Sequence, residues 1–137
     1  ILIWLIYLTI FFKLKFAITC LILLKTIMVK LLIKPLSVNS AYKGRRFVTD
    51  AHRWFKMNMR QLLPDNYKLP APPYVIHFEF GLSSGNSDGD NCVKLAQDSI
   101  ADKYGFNDRY IKRWIIDVEQ VKKGHEYISF KIETLLK

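Results

Sequence analysis

From Val29 onward the chain alternates, with Val29, Leu31 and Ile33 set against Lys30, Leu32 and Lys34. A period of two predicts a strand with one buried face, and Pro35 ends it. A polar loop follows from Ser37 to Thr49, in which Lys43-Gly44 predicts a short hairpin turn before Phe47 and Val48. The period then becomes helical. Ala51, Phe55, Met59, Leu62 and Leu63 form one stripe between a cap at Thr49 or Asp50 and the stop at Pro64, while Arg53, Lys56 and Arg60 share another face. Residues 64–73 hold four prolines and read as a linking loop, after which Tyr74, Ile76, Phe78 and Phe80 alternate as a second strand.

Gly81 to Asn91 is a loop by composition, and Val93, Ala96, Ile100 and Tyr104 then recur at helical spacing, closed by Gly105. Trp114, Ile116 and Val118 alternate, Lys123-Gly124 supplies a turn, and Ile128, Phe130 and Ile132 alternate again, so the chain is expected to end in an antiparallel hairpin. The order strand, helix, strand, helix, strand, strand predicts a single small α+β domain, a mixed sheet of about four strands with two packed helices. Trp54, Trp114 and Tyr104 fall where periodicity predicts core, which favours packing over base stacking.

Residues 1–27 change the picture. They are almost wholly Ile, Leu, Phe, Thr, Tyr and Lys, without an acid, a glycine or a proline. Lys13 and Lys15 interrupt the apolar run, which makes a poor match to the roughly 18 uninterrupted apolar residues of a membrane span. The apolar part comes first and no small-residue cleavage site follows, unlike a secretory signal. The segment is expected to be translated upstream sequence with the start at Met28, or else a weak membrane segment. Residues 28–137 form the expected domain, and a membrane is not an expected partner.

Across 137 residues, 21 Lys and Arg stand against 12 Asp and Glu, a net charge of +9 that falls to +6 without Lys13, Lys15 and Lys25. Either value suits an anionic partner such as nucleic acid. Cys20 and Cys92 lie far apart, with no Cys or His neighbours of the kind a zinc site or disulfide framework needs, so a reduced, cytoplasmic protein is expected.

The chemistry concentrates around one turn. Asp88 and Asp90 flank Gly89 just before a predicted helix, and in an extended loop their side chains emerge on one side, where they can share a cation. Asp108 follows the far end of that helix, about 21 Å away by helical rise, and joins the pair only if the chain folds back. Hard carboxylate oxygens suit Mg²⁺ or Mn²⁺ and hence a phosphodiester substrate. Lys94 stands one helical turn beyond Asp90, from which it can point at the same loop or pair with Asp90 or Asp98 and do no chemistry. The plain alternative is a surface loop with Asp90 capping a helix. A calcium loop counted from Asn86 fails, because its sixth position is Asn91 and its twelfth Gln97.

The run Asp88-Gly-Asp90-Asn91-Cys-Val-Lys94 resembles the Asp-x-Asp-Asn-x-x-Lys signature of the RusA family of Holliday junction resolvases. Pro35, Asn39, Tyr42 and the following basic loop and helix are similar to that family's opening segment, and Gly105-Phe106-Asn107-Asp108 to its Gly-Phe-x-x-Asp-Asp turn. The likeness extends from Met28 to about Glu133. It implies that Asp88, Asp90 and Asp108 are metal-binding catalytic aspartates and Lys94 a catalytic lysine. It further implies a homodimer that uses Mg²⁺ or Mn²⁺ to resolve four-way branched DNA by paired symmetric nicks, in recombination and repair, as in phage DNA processing.

The sequence departs from the family at Asn107, where an acid is common, at Arg109-Tyr110, and at the neutral Ser83 to Ser87, where a basic run is usual. Phosphate contacts are therefore expected from Lys43, Arg45 and Arg46 in the first loop and from Arg53, Lys56 and Arg60 on the first helix, with solvated surface charge as the alternative for each. His52, His77 and His125 are isolated in sequence and receive no role. A less structure-selective endonuclease, a non-catalytic DNA-binding protein and a membrane-anchored protein remain as rival readings.

Overall fold

The computed structural model describes residues 1–26, 28–45, 47–85 and 88–137. Helix α1 spans Leu2–Thr26, and every side chain from Ile1 to Cys20 is exposed. Strand β1 (Val29–Leu31) follows, then a short helix α2 (Val38–Ala41) and a two-stranded ribbon, β2 (Tyr42–Lys43) with β3 (Phe47–Val48). Gly44 turns that ribbon at φ 69°, a conformation glycine adopts without steric cost.

Helix α3 (Asp50–Leu62) starts where the sequence reading set it, because the Thr49 hydroxyl accepts the His52 N–H at 3.3 Å. Phe55, Met59 and Leu63 are buried, but Ala51 and Leu62 of the expected stripe are exposed, and so is Trp54, at 55%. The sheet and α4 cover a narrower strip of α3 than the periodicity predicts. Helix α4 (Asp90–Tyr104) ends on Gly105 at φ 70°, whose N–H closes the last turn on the Ala101 carbonyl at 2.8 Å.

Strand β4 (Tyr74–Leu82) is the centre of the main sheet, whose order is β1-β6-β4-β5, with β5 spanning Ile111–Gln120 and β6 Tyr127–Thr134. The α+β class and the four-stranded mixed sheet agree with the sequence. The terminal hairpin does not form. β5 runs parallel to β4 on one side, β6 runs antiparallel to it on the other, and the link between them crosses the end of β4. That crossing is held where Val121 N–H donates to the Leu82 carbonyl at 2.9 Å, Gln120 to the Ser83 carbonyl at 3.0 Å, and the Ser83 hydroxyl to Glu126 at 2.6 Å. β4 alternates large apolar residues over its whole length, so it takes both neighbours. A local turn signal at Lys123-Gly124 carries no information about that preference.

The buried residues Ile76, Phe78 and Phe80 of β4 meet Phe130 of β6, Leu95 and Ile100 of α4, and Phe55 and Met59 of α3 in one core. The proline-rich loop is pinned beneath it. Tyr67 lies between the rings of Tyr104 and Phe130, and its hydroxyl accepts the Ile132 N–H at 3.0 Å, beyond the reach of the short strand β1.

Candidate functional site

The expected carboxylate pair sits where β4 hands over to α4. Gly89 is required there by space: a Cβ at this position would lie 2.5 Å from Val118 Cγ2 and 3.4 Å from Ile116 Cγ2, so only glycine lets the turn rest on β5. Asp88 and Asp90 flank it and are both exposed. Gly89, not Asp90, is the residue that precedes the helix, and Asp90 is its first residue, with one carboxylate oxygen accepting the Asn91 N–H at 2.9 Å. An acid in this first turn also faces the positive end of the helix dipole.

Lys94 turns away from the pair. Its ammonium lies 3.2 Å from Asp98, four residues further along α4, which is the structural alternative for this lysine. Asp90, Lys94, Asp98 and Asp102 follow one another at helical spacing and make a charged stripe along α4. Beyond its end, Asp108 opens a 3₁₀ turn, Asp108–Tyr110, in which Asn107 accepts the Arg109 N–H at 2.9 Å. Asp108 lines a shallow cleft of about 340 Å³ with Lys56, Asp98, Asp102 and Asn107. The chain does not fold back: Asp88 and Asp90 lie at one end of a 15-residue helix and Asp108 past the other, roughly 21 Å apart by helical rise. Among the described residues, no three His, Cys, Asp or Glu side chains are grouped to hold a metal ion. The exposed Asp88/Asp90 pair by itself suits Mg²⁺, which takes one or two carboxylates and keeps waters or phosphate oxygens on its other positions.

The basic residues divide by partner. Arg53 pairs with Asp50 at 2.6 Å and Lys56 with Asp102 at 2.6 Å, whereas the Arg60 guanidinium has no ion-pair partner among the described residues. All three line an apolar-floored groove of about 420 Å³ between α3 and α4, together with Met57 and Lys103. Lys56 and Asp102 border both this groove and the Asp108 cleft, so the two adjoin. Lys43 and Arg45 are exposed at the β2–β3 turn, and Arg46 lies outside the described residues.

A second set of carboxylates escaped the sequence reading. On the sheet face opposite the helices, Tyr127 donates its hydroxyl to Glu79 at 2.6 Å and also contacts Glu119, and His77 Nε2 lies 2.6 Å from Asp117. Burial, then the two glutamates, push the Tyr127 hydroxyl far above its usual range. His77, Glu79, Asp117 and Glu119 stand at outward positions of β4 and β5, whose parallel register brings them together with Glu79 opposite Asp117, and Tyr127 joins them from β6. A hairpin of β5 with β6 hides that adjacency, which is why His77 looked isolated. Next to the Asp88–Asp90 turn, burial first and the Asp90 charge second push the Cys92 thiol up to about 11. Trp114, expected in the core, is 45% exposed on the edge strand, where its indole N–H donates to Gln97 at 2.8 Å. Tyr104, also expected there, is half-buried, with its hydroxyl on the Pro64 carbonyl at 2.8 Å.

Compared with known proteins, the chain is matched by no family model and by no curated sequence.

Proposed function

We propose that this chain is a metal-dependent endodeoxyribonuclease of the RusA type that acts on branched DNA. One observation carries the reading: an exposed pair of carboxylates, Asp88 and Asp90, on a glycine turn at the start of α4, on a fold whose adjoining helix α3 presents Arg53, Lys56 and Arg60 along one groove. Asp88 and Asp90 would hold Mg²⁺ or Mn²⁺. Such an ion, when bound, polarises a phosphodiester and stabilises the leaving oxygen. The cations of α3 hold phosphates and set position without reading sequence. Lys94 reaches the reacting phosphate by leaving Asp98, an exchange that an exposed pair worth about 0.3–0.5 kcal/mol permits.

The test is cleavage of a synthetic four-way junction and of its linear duplex arms, with Mg²⁺ or EDTA, by the wild-type chain and by Asp90→Asn. Symmetric nicks in the junction alone, abolished by EDTA and lowered roughly 10⁴-fold by the substitution, are the expected result. Equal cutting of both DNAs would assign a less selective nuclease. A second reading, a DNA-binding protein without catalysis, is favoured by the separation of Asp108 from the pair and by the Lys94–Asp98 contact. Junction binding with no nicking in either metal would select it.

A further inference from the structure

A cavity of about 390 Å³ opens beside the Asp88–Asp90 turn, on the other side of α3 from the basic groove. Helix α3 divides the two: Arg53, Lys56 and Arg60 face the groove, whereas Ala51, Trp54 and Phe55 face the cavity. Leu82 at the end of β4 and Cys92 in the first turn of α4 complete an apolar wall. Cys92 follows Asp90 by two residues, about 3 Å along the helix axis, so the cavity and the carboxylate pair lie on opposite sides of one helical turn.

The other end of the cavity is polar and held in place. The Glu126 carboxylate accepts the Ser83 hydroxyl at 2.6 Å and the Gly124 N–H at 2.8 Å. The Ser83 bond above all holds this carboxyl below the usual carboxylate range, so it is charged at neutral pH. Lys34 borders the same cavity and has no ion-pair partner among the described residues. Trp54 is exposed, and its indole N–H is likewise without a partner among them. The Thr49 hydroxyl and N–H bond the carbonyls of Ser40 and Ala41, each at 2.9 Å, which fixes the loop wall in advance of any occupant.

Each of these features selects what can enter. A flat aromatic body suits the indole and the apolar wall. A carboxylate only accepts and an ammonium only donates, so the edge that meets them must carry both a donor and an acceptor. The volume lies at the low end of the roughly 300–1,000 Å³ of small-molecule sites, enough for one base with its sugar and too little for a base pair.

We propose that this cavity receives one unpaired, amino-bearing base of the bound DNA, stacked on Trp54, with its exocyclic amine donating to Glu126 and a ring acceptor facing Lys34. Adenine, cytosine and guanine carry such an amine, and thymine does not. An unpaired base also costs least to take out of the stack. The proposal rests on the nuclease reading for the identity of the polymer, and adds a contact to bases where α3 offers contacts to phosphates alone.

The test is equilibrium binding in EDTA by the full chain, purified in non-ionic detergent. The probes are synthetic four-way junctions with one unpaired nucleotide at the centre, which carries adenine, cytosine, thymine or no base. The adenine and cytosine junctions are expected to bind at least fivefold more tightly than the abasic one, with thymine between. Trp54→Ala, checked for an unchanged circular dichroism spectrum, weakens the adenine junction at least fivefold, the lower bound of a stacking contact, and leaves the abasic one within twofold. Trp114→Phe, at an exposed tryptophan outside the cavity, changes neither. Glu126→Gln, whose amide both donates and accepts, brings thymine within twofold of adenine. Equal affinity for all four junctions overturns the pocket, and so does a Trp54→Ala chain that loses the abasic junction as steeply as the adenine one. Thymine and adenine bound alike by the wild type overturn the Glu126 contact. The same junctions with Mg²⁺ test the nuclease reading separately: a chain that binds without cutting sinks that reading and leaves base-dependent affinity to decide the cavity. A chain that binds no junction overturns both.

Discussion

Two residues beside the Asp88–Asp90 turn answer to single substitutions. Gly89→Ala sets a methyl group 2.5 Å from Val118 Cγ2, a β-branched side chain that yields with difficulty. We expect a loss of about 1–3 kcal/mol in urea unfolding, most of it recovered by adding Val118→Ala, which removes the colliding atom. An unaltered midpoint would mean that the turn does not rest on β5. Cys92, three residues after that glycine, is buried, whereas Cys20 is exposed. A thiol reagent at pH 8 is therefore expected to label Cys20 in the native protein and Cys92 only after denaturation. Rapid labelling of both would show that α4 opens at its first turn.

At the level of elements, the basic face of α3 makes a graded prediction. Each phosphate contact that is lost flattens the dependence of DNA affinity on log salt by about one. Among the described residues Arg60 has no ion-pair partner, whereas Arg53 and Lys56 already face Asp50 and Asp102, so Arg60→Gln should flatten the slope most. Titration of junction DNA from low to moderate salt measures it, and slopes unchanged from the wild type in all three variants would reject the face as a contact. How much of this was legible in the sequence depended on distance along the chain. The Thr49 cap, the Gly105 stop, the apolar alternation of β4 and the turn at Gly44 are local signals, and each appears where it was expected. The partner of β5 is not a local property. β4 draws β5 and β6 to its two sides, and the His77–Asp117 contact, formed across 40 residues, follows from that arrangement alone. The motif around Asp88 was readable as residues, but its relation to Asp108 depended on the path of the chain after α4.

For the molecule as a whole, α1 and the tyrosines set the conditions of stability. The described side chains of α1, Leu2 to Cys20, are exposed and none of them enters the hydrophobic core. Residues 28–137 alone are thus expected to unfold within about 0.5 kcal/mol of the full chain, the scale of changes away from core contacts. A larger loss in urea denaturation would tie α1 to the fold. Burial, with smaller contributions from Tyr67 and Asp65, pushes the Tyr104 hydroxyl up to about 12, against about 10 in an unfolded chain. A raised acid pKa favours folding while the group is protonated, so this contribution is intact below pH 10 and fades as pH climbs toward 12. Tyr67 is raised as well, by burial. Melting temperatures from pH 9 to 12 should fall more steeply for the wild type than for Tyr104→Phe.

The sheet order also fixes a sequence of events in time. Among the described strands β6 is the last to leave a ribosome, yet it lies between β1, the first of them, and β4. Until Tyr127–Thr134 emerges, β1 has no partner, and β4 has one flank open with Phe78 and Phe80 half covered. The nascent chain therefore holds helices and an unfinished sheet until β6 has emerged, and the sheet closes only then. A ribosome stalled near Glu126 would display the apolar face of β4 to whatever chaperone waits at the tunnel exit.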